Sequence, residues 1–262
     1  MKFVAKFVRA LVGLVVSILP PYIRMYVSES SRLVREIELN GVKMKYVCRS
    51  RGEYLSRAIE AFKEPDTIWW IDNTVKSGVF IDIGACVGTY GIYAAKKGNL
   101  SKVIAIEPSH ASFHALNENV TENGLRGKFL TICSALGETR TVTTINLSST
   151  QAGSSMHTVG DENADTNDVI NINQITPDFL TPWLDFSEDV HVKIDVDGME
   201  EEILRAIGGL LVNKSFKSIA IEVTPESVDA TVKALNDAGL TQLDCPHQKP
   251  ESVNGYNLFF AR

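Results

Sequence analysis

Two strings in this 262-residue chain combine residue types and spacings suited to binding and group-transfer chemistry. Phe80-Ile81-Asp82-Ile83-Gly84-Ala85-Cys86-Val87-Gly88-Thr89-Tyr90 reads as a buried strand, a glycine turn and the start of a helix. Gly84 permits a sharp turn, Gly88 lets backbone approach a ligand closely, and the helix start offers free N–H groups. A dinucleotide site would read G-x-G-x-x-G, but the spacing here is D-x-G-x-x-x-G with an acid, Asp82, ahead of the turn. A carboxylate is awkward beside a pyrophosphate and favourable beside an ammonium. S-adenosylmethionine carries an ammonium, a sulfonium and no phosphate. Asp82, Gly84, Ala85, Cys86, Gly88, Thr89 and Tyr90 are the candidates for holding such a donor.

The next predicted strand ends Ile106-Glu107-Pro108, which puts Glu107 where its two oxygens reach both hydroxyls of a ribose. Ser134 and Ala135 close a third strand and offer small side chains for an adenine ring to lie against. The second string, Val192-Lys193-Ile194-Asp195-Val196-Asp197-Gly198-Met199-Glu200, again runs from strand to helix. It brings carboxylates and an amine to the carboxyl end of a sheet, the side on which open α/β sheets bind ligands. Charges at the end of an apolar strand are costly unless used or paired, and a structural ion-pair network is the other reading. Glu222 ends a further strand and is expected at the rim of the same cleft.

These strings must be positioned by βαβ units, and from residue 79 onward short apolar runs alternate with helical periodicities. The predicted strands cover 79–83, 102–107, 129–133, 190–195, 218–223 and 257–261, and the predicted helices 89–97, 109–123, 199–211 and 225–238. The last strand and a short one at 241–244 read as a terminal antiparallel hairpin. Residues 28–78 hold an Asn40-Gly41 hairpin and helices over 53–62 and 66–75. The polar stretch 141–177 interrupts the rhythm as an insertion with edge strands at 141–147 and 168–172. His157 within it reaches the substrate if the insertion folds over the cleft.

The first 27 residues stand apart. Lys2, Lys6 and Arg9 share one helical face, and an apolar run over 10–19 stops at Pro20-Pro21. That run is shorter than the roughly 20 residues a spanning helix needs. The pattern suits a helix lying on a membrane surface, with a signal segment and a helix docked on the protein's own core as alternatives. A net charge of -6 without a basic stripe argues against a nucleic-acid partner. Cys48, Cys86, Cys133 and Cys245 show no C-x-x-C pair and no zinc spacing, as expected of free thiols on the cytoplasmic side. No His cluster calls for a metal. Tyr93 and Lys97 form a Y-x-x-x-K on the helix straight after the glycine turn, the wrong place for a dehydrogenase pair, while His110 and His114 fall on a helix surface and His191 opens a strand.

Glu64-Pro65-Asp66-Thr67-Ile68, Phe80 to Gly88, Ile106-Glu107-Pro108 and above all Lys193-Ile194-Asp195-Val196-Asp197-Gly198-Met199-Glu200 resemble the FkbM-type S-adenosylmethionine-dependent methyltransferases, whose signature reads K-I-D-x-E-G-x-E. The resemblance runs from about residue 64 to 222. Cys86 stands where that family usually has Asn, and Asp197 where it usually has Glu. It implies a Rossmann-like class I methyltransferase sheet, mostly parallel, with seven strands, a terminal antiparallel hairpin and helices on both faces. It further implies methyl transfer to a hydroxyl of a sugar, glycolipid or secondary metabolite. Asp195 is then the expected base or acceptor-orienting group, aided by Lys193 and Glu222, with Asp197, Gly198 and Glu200 shaping the second motif. An NAD-type oxidoreductase and a methyltransferase-like domain that binds without turnover are the competing readings. Oligomeric state is not encoded in these motifs.

Overall fold

The computed structural model describes residues 2–30, 33–147, 152–153, 158–159, 169–196, 198–247 and 255–262. The chain forms two compact units, residues 1–34 and 35–262. In the first, α1 (Lys2–Ser17) and α2 (Pro21–Ser30) meet at Pro20-Pro21. Pro21 opens a new helix, as its fixed φ and missing N–H allow at a first helical position. The Arg24 side chain donates to the carbonyls of Ser17 and Leu19, where a cation favours the end of α1. The proline pair thus joins two helices, where the sequence suggested only a stop.

The second unit begins within the first strand of a hairpin of β1 (Leu33–Leu39) and β2 (Val42–Cys48). Asn40 and Gly41 sit at φ 50° and 78°, both left-handed, as a tight hairpin turn demands. Then come α3 (Arg51–Leu55), a 3-10 turn (Arg57–Ile59), α4 (Glu60–Lys63) and α5 (Pro65–Thr74). The helix expected over 53–62 is instead three short pieces, the first of which starts at Arg51 under a capping box of Ser50 and Glu53.

The alternating core follows as β3 (Ser77–Ile83), α6 (Thr89–Lys97), β4 (Asn99–Ile106), α7 (His110–Glu122) and β5 (Phe129–Ile132). β6 (Ala135–Leu136) precedes the insertion, which supplies β7 (Thr141–Asn146), β8 (Thr158–Val159) and β9 (Val169–Ile175). After a 3-10 segment (Pro177–Trp183), the chain returns through β10 (Val190–Ile194), α8 (Glu200–Ala206), α9 (Gly208–Leu211), β11 (Phe216–Val223), α10 (Val228–Asp237), β12 (Thr241–Gln242) and β13 (Tyr256–Ala261). The main sheet has seven strands in the order β12-β13-β11-β10-β3-β4-β5. β13 is antiparallel to both β11 and β12, and the other pairs are parallel. This is the expected Rossmann-like α/β arrangement with its terminal hairpin. The insertion forms a separate sheet with β6, in the order β6-β9-β7-β8, close to the anticipated edge strands.

Both faces of the sheet are covered, which is why its strands read as near-continuous apolar runs. Phe80 and Phe259 point to one side with Trp70 of α5, whose ring lies 5.9 Å from Phe80 and 6.2 Å from Phe259. Val79, Ile81, Ile83, Leu258 and Phe260 point to the other, against α8 and α10. The order of strands reverses between β3 and β10: the chain runs outward through β4 and β5, then restarts on the other side of β3. Such a reversal leaves a crevice at the carboxyl ends of β3 and β10.

Candidate functional site

A cavity of about 750 Å³, counting its open mouth, occupies that crevice. Its walls come from the β3 turn (Gly84, Cys86), the end of β4 (Glu107, Pro108), the end of β5 and β6 (Ser134, Ala135, Leu136), the end of β10 (Asp195, Val196) and Met199 and Ile203 before and within α8. Ile145 and Val159 of the insertion and Arg57 complete it.

The turn after β3 follows from its sequence. Gly84, Cys86 and Gly88 lie at φ 81°, 49° and 86°. A Cβ at Gly84 would collide with the Asp195 carbonyl, so only glycine lets the two strand ends close together. Cys86 is one of two non-glycine residues with positive φ among the described residues, a conformation that asparagine adopts more readily. Burial pushes its thiol up to about 12. The next strand locks onto this turn: Glu107 Oε2 accepts the Cys86 N–H and Oε1 the Ser109 N–H, both at 2.8 Å. Burial raises the Glu107 carboxyl to about 7, against the lowering effect of those two N–H donors. From the other flank, buried Asn119 of α7 donates to the Val87 carbonyl at 2.9 Å and accepts the Val47 N–H of β2 at 2.8 Å, tying the hairpin to the turn.

Asp82 is 1% exposed and does not line the cavity. Its Oδ2 accepts the Gly91 N–H at 3.1 Å, and its Oδ1 has no hydrogen-bond partner among the described residues. Burial raises it to about 6, with Lys193 pulling the other way. Lys193, 2% exposed, donates to Asp195 Oδ2 at 2.6 Å and lies 4.8 Å from the centre of the Tyr90 ring. Burial opposes its charge, but Asp195, Asp82 and Glu64 outweigh that and hold it above its usual range. Tyr90 donates to Glu64 at 2.6 Å. Among its described residues, the second motif is therefore a paired network that presents one carboxylate, Asp195, to the cavity.

Glu200 shapes the loop after Asp195. Its carboxylate accepts the N–H groups of Val196 and Gly198 at 3.0 to 3.2 Å, the role an acid takes at a helix start. Gly198, at φ 113°, supplies the turn.

Of the residues singled out in the sequence, Gly84, Cys86, Glu107, Pro108, Ser134, Ala135 and Asp195 line one cavity. Ala85, Gly88, Thr89 and Tyr90 stand behind its wall, Thr89 and Tyr90 opening α6. Glu222 pairs with Asn257 across β11 and β13 and packs beside Gly255, away from the lining. Asp197 and His157 lie outside the described residues. His191 is buried, shares a 2.7 Å hydrogen bond with Ser218 and is lowered to about 4 by burial. All four cysteines are free. Arg57, Ile145 and Val159 lie outside the motifs and Met199 is a variable position of the second, so the sequence marks none of them as lining the cavity. The pairing of Arg57 with Glu60 at i+3 is their one local trace.

A protein-family model described as the Vibrio cholerae RfbT protein matches residues 28–223. No match was found among the curated proteins. Similar solved structures include a methyltransferase FkbM from Methylobacillus flagellatus, at 15% identity and a TM-score of 0.48, covering 71% of this chain and 44% of that one. A magnesium protoporphyrin IX methyltransferase from Synechocystis aligns at 13% identity and 0.46, covering 79% and 81%. A precorrin-6y C5,15-methyltransferase from Geobacter metallireducens aligns at 14% and 0.44, covering 76% and 87%.

Proposed function

The chain belongs to the Vibrio cholerae RfbT protein family, and we propose, from the residues of its cavity, that it is an S-adenosylmethionine-dependent methyltransferase acting on a hydroxyl of a sugar, glycolipid or secondary metabolite. The observation that carries this reading is the convergence of the Gly84 turn, Glu107 and Asp195 on one cavity at the strand reversal. The residues fit an adenosyl donor. Glu107 is fixed by two backbone N–H groups, and each of its oxygens keeps acceptor capacity for a ribose hydroxyl. Ser134, Ala135, Ile145 and Val159 offer a small and apolar wall for a flat base, and Gly84 lets the ends of β3 and β10 close together beside it.

When bound, S-adenosylmethionine supplies a sulfonium methyl open to in-line attack. Asp195 stands at the cavity with its side chain 32% exposed and takes the proton of the acceptor hydroxyl. Lys193 holds that carboxylate in one orientation through its 2.6 Å hydrogen bond, and Tyr90 and Glu64 hold Lys193. Glu200 keeps the loop after Asp195 in place. The enzymatic test is transfer of label from methyl-labelled S-adenosylmethionine to a panel of glycans and hydroxylated lipids. Wild type is expected to label a hydroxylated acceptor and Asp195→Asn to lose at least about 100-fold in rate. Labelling that survives undiminished in Asp195→Asn contradicts the assigned base.

The same proposal puts the first thirty residues on an anionic membrane surface. Phe7, Leu14, Ile18, Tyr22 and Tyr26 are 63 to 76% exposed, and the sequence of residues 1–30 holds Lys2, Lys6, Arg9 and Arg24 against a single acid, Glu29, in an otherwise acidic chain. Among the described residues, no helix is long and apolar enough to cross a membrane.

A further inference from the structure

Resting on the donor site just proposed, we infer that Arg57 is the counter-ion for the carboxylate of the donor's methionine moiety. Arg57 is the one cation among the described residues lining the cavity, whose charged groups are otherwise Glu107 and Asp195. An amino-acid ligand brings an ammonium and a carboxylate together. The acids answer the first, and the second calls for a positive partner, since charge-assisted hydrogen bonds are the stronger ones. Lys193 does not serve: it lies behind the wall, whereas Arg57, though paired with Glu60, lines the cavity.

The guanidinium is held ready. Its Nε donates to the Gly153 carbonyl and its Nη1 to Glu60 at 2.6 Å, while among the described residues Nη2 donates to nothing. Two N–H groups of a fixed planar fork therefore remain for a carboxylate. The Arg57 side chain is 13% exposed. Its backbone carbonyl accepts from Thr89 Oγ1 at 3.4 Å, which ties it to the first residue of α6 beside the glycine turn. Gly153, whose N–H is held by Ser112 at 3.1 Å, packs so tightly on Arg57 that a Cβ there would strike its side chain. Arg57 lines the same cavity as Cys86 of the glycine turn and Asp195 at the end of β10, the residues assigned above to the amino-acid part of the donor.

The test is calorimetric titration of the full chain with S-adenosylmethionine and with decarboxylated S-adenosylmethionine, which differ only in the carboxylate. Wild type is expected to bind the decarboxylated ligand about 10- to 100-fold more weakly. Arg57→Met should lose the same factor for S-adenosylmethionine and nothing for the decarboxylated ligand, and Arg57→Lys should recover part of it. Equal affinities in wild type, or a loss in Arg57→Met that is the same for both ligands, would overturn the assignment. The wild-type comparison needs no variant to fold. Wild type that binds neither ligand would instead refute the donor site itself.

Discussion

Lys193 Nζ lies 2.6 Å from Asp195 Oδ2, joining a lysine 2% exposed to a carboxylate 32% exposed. One partner is sealed in the sheet and the other faces the cavity. Lys193→Met should leave Asp195 and Asp82 without their shared cation and cost about 3 kcal/mol, since removing one member of a buried pair strands the other. Urea unfolding measures this, and a loss under about 0.5 kcal/mol would mean the network is solvated rather than paired.

The acids of the site give stability a defined pH dependence. Burial raises folded Glu107 to about 7 from 4.5 and Asp82 to about 6 from 3.8. Each binds its proton more tightly folded than unfolded, so its contribution is fully present below the unfolded value and is lost as pH rises through the folded one. His191, lowered by burial to about 4 from 6.5, works oppositely: its contribution is present above 6.5 and is lost as pH falls toward 4. Glu107→Gln removes only the first term. Between pH 5 and 8 wild type should lose roughly 2 kcal/mol relative to this variant, and unfolding curves that stay parallel would contradict the buried, proton-binding Glu107.

Asn119 bridges Val47 and Val87 with both ends of its amide. Asn119→Ala strands a buried N–H and a buried C=O, and should destabilise the protein by about 2–4 kcal/mol while loosening the turn that carries Cys86. Faster amide exchange at Val87 and Gly88 than at the core of β3 is the expected signature.

Cys86 holds a left-handed backbone at φ 49° where the resembling family usually places Asn. Cys86→Asn should therefore fold at least as well, gaining up to about 1 kcal/mol. A large loss in melting temperature would show that the thiol's packing outweighs its backbone strain.

Deleting residues 1–30 should release the protein from anionic liposomes and leave it free of neutral ones. Sedimentation of the truncated and full chains with vesicles measures this, and equal sedimentation of the two contradicts membrane docking through α1 and α2.

The parts legible in the sequence were those whose physics is local or periodic. Apolar runs marked the sheet because both its faces are buried, and Asn40-Gly41, Gly84 and Gly88 marked turns because their φ values admit few residue types. Glu107 and Asp195 were legible because a strand end is a fixed address. Arg57 was not: it joins the cavity from a 3-10 turn that precedes β3, through contacts with Gly153, 96 positions away. Asp82 and Lys193 were recognised as chemistry-bearing, but only packing reveals that both sit behind the cavity wall. The early start at Arg51 and the second helix after Pro20 turned on capping and proline geometry, which periodicity does not report.

The central claim is that the cavity at the strand reversal is an adenosyl-donor site built on Glu107, and calorimetric titration with S-adenosylhomocysteine, with NAD as control, tests it most directly. Wild type should bind the adenosyl ligand and not NAD, with Glu107→Ala weakened by about 10-fold or more. Binding of NAD alone, or S-adenosylhomocysteine binding unchanged in Glu107→Ala, would contradict it.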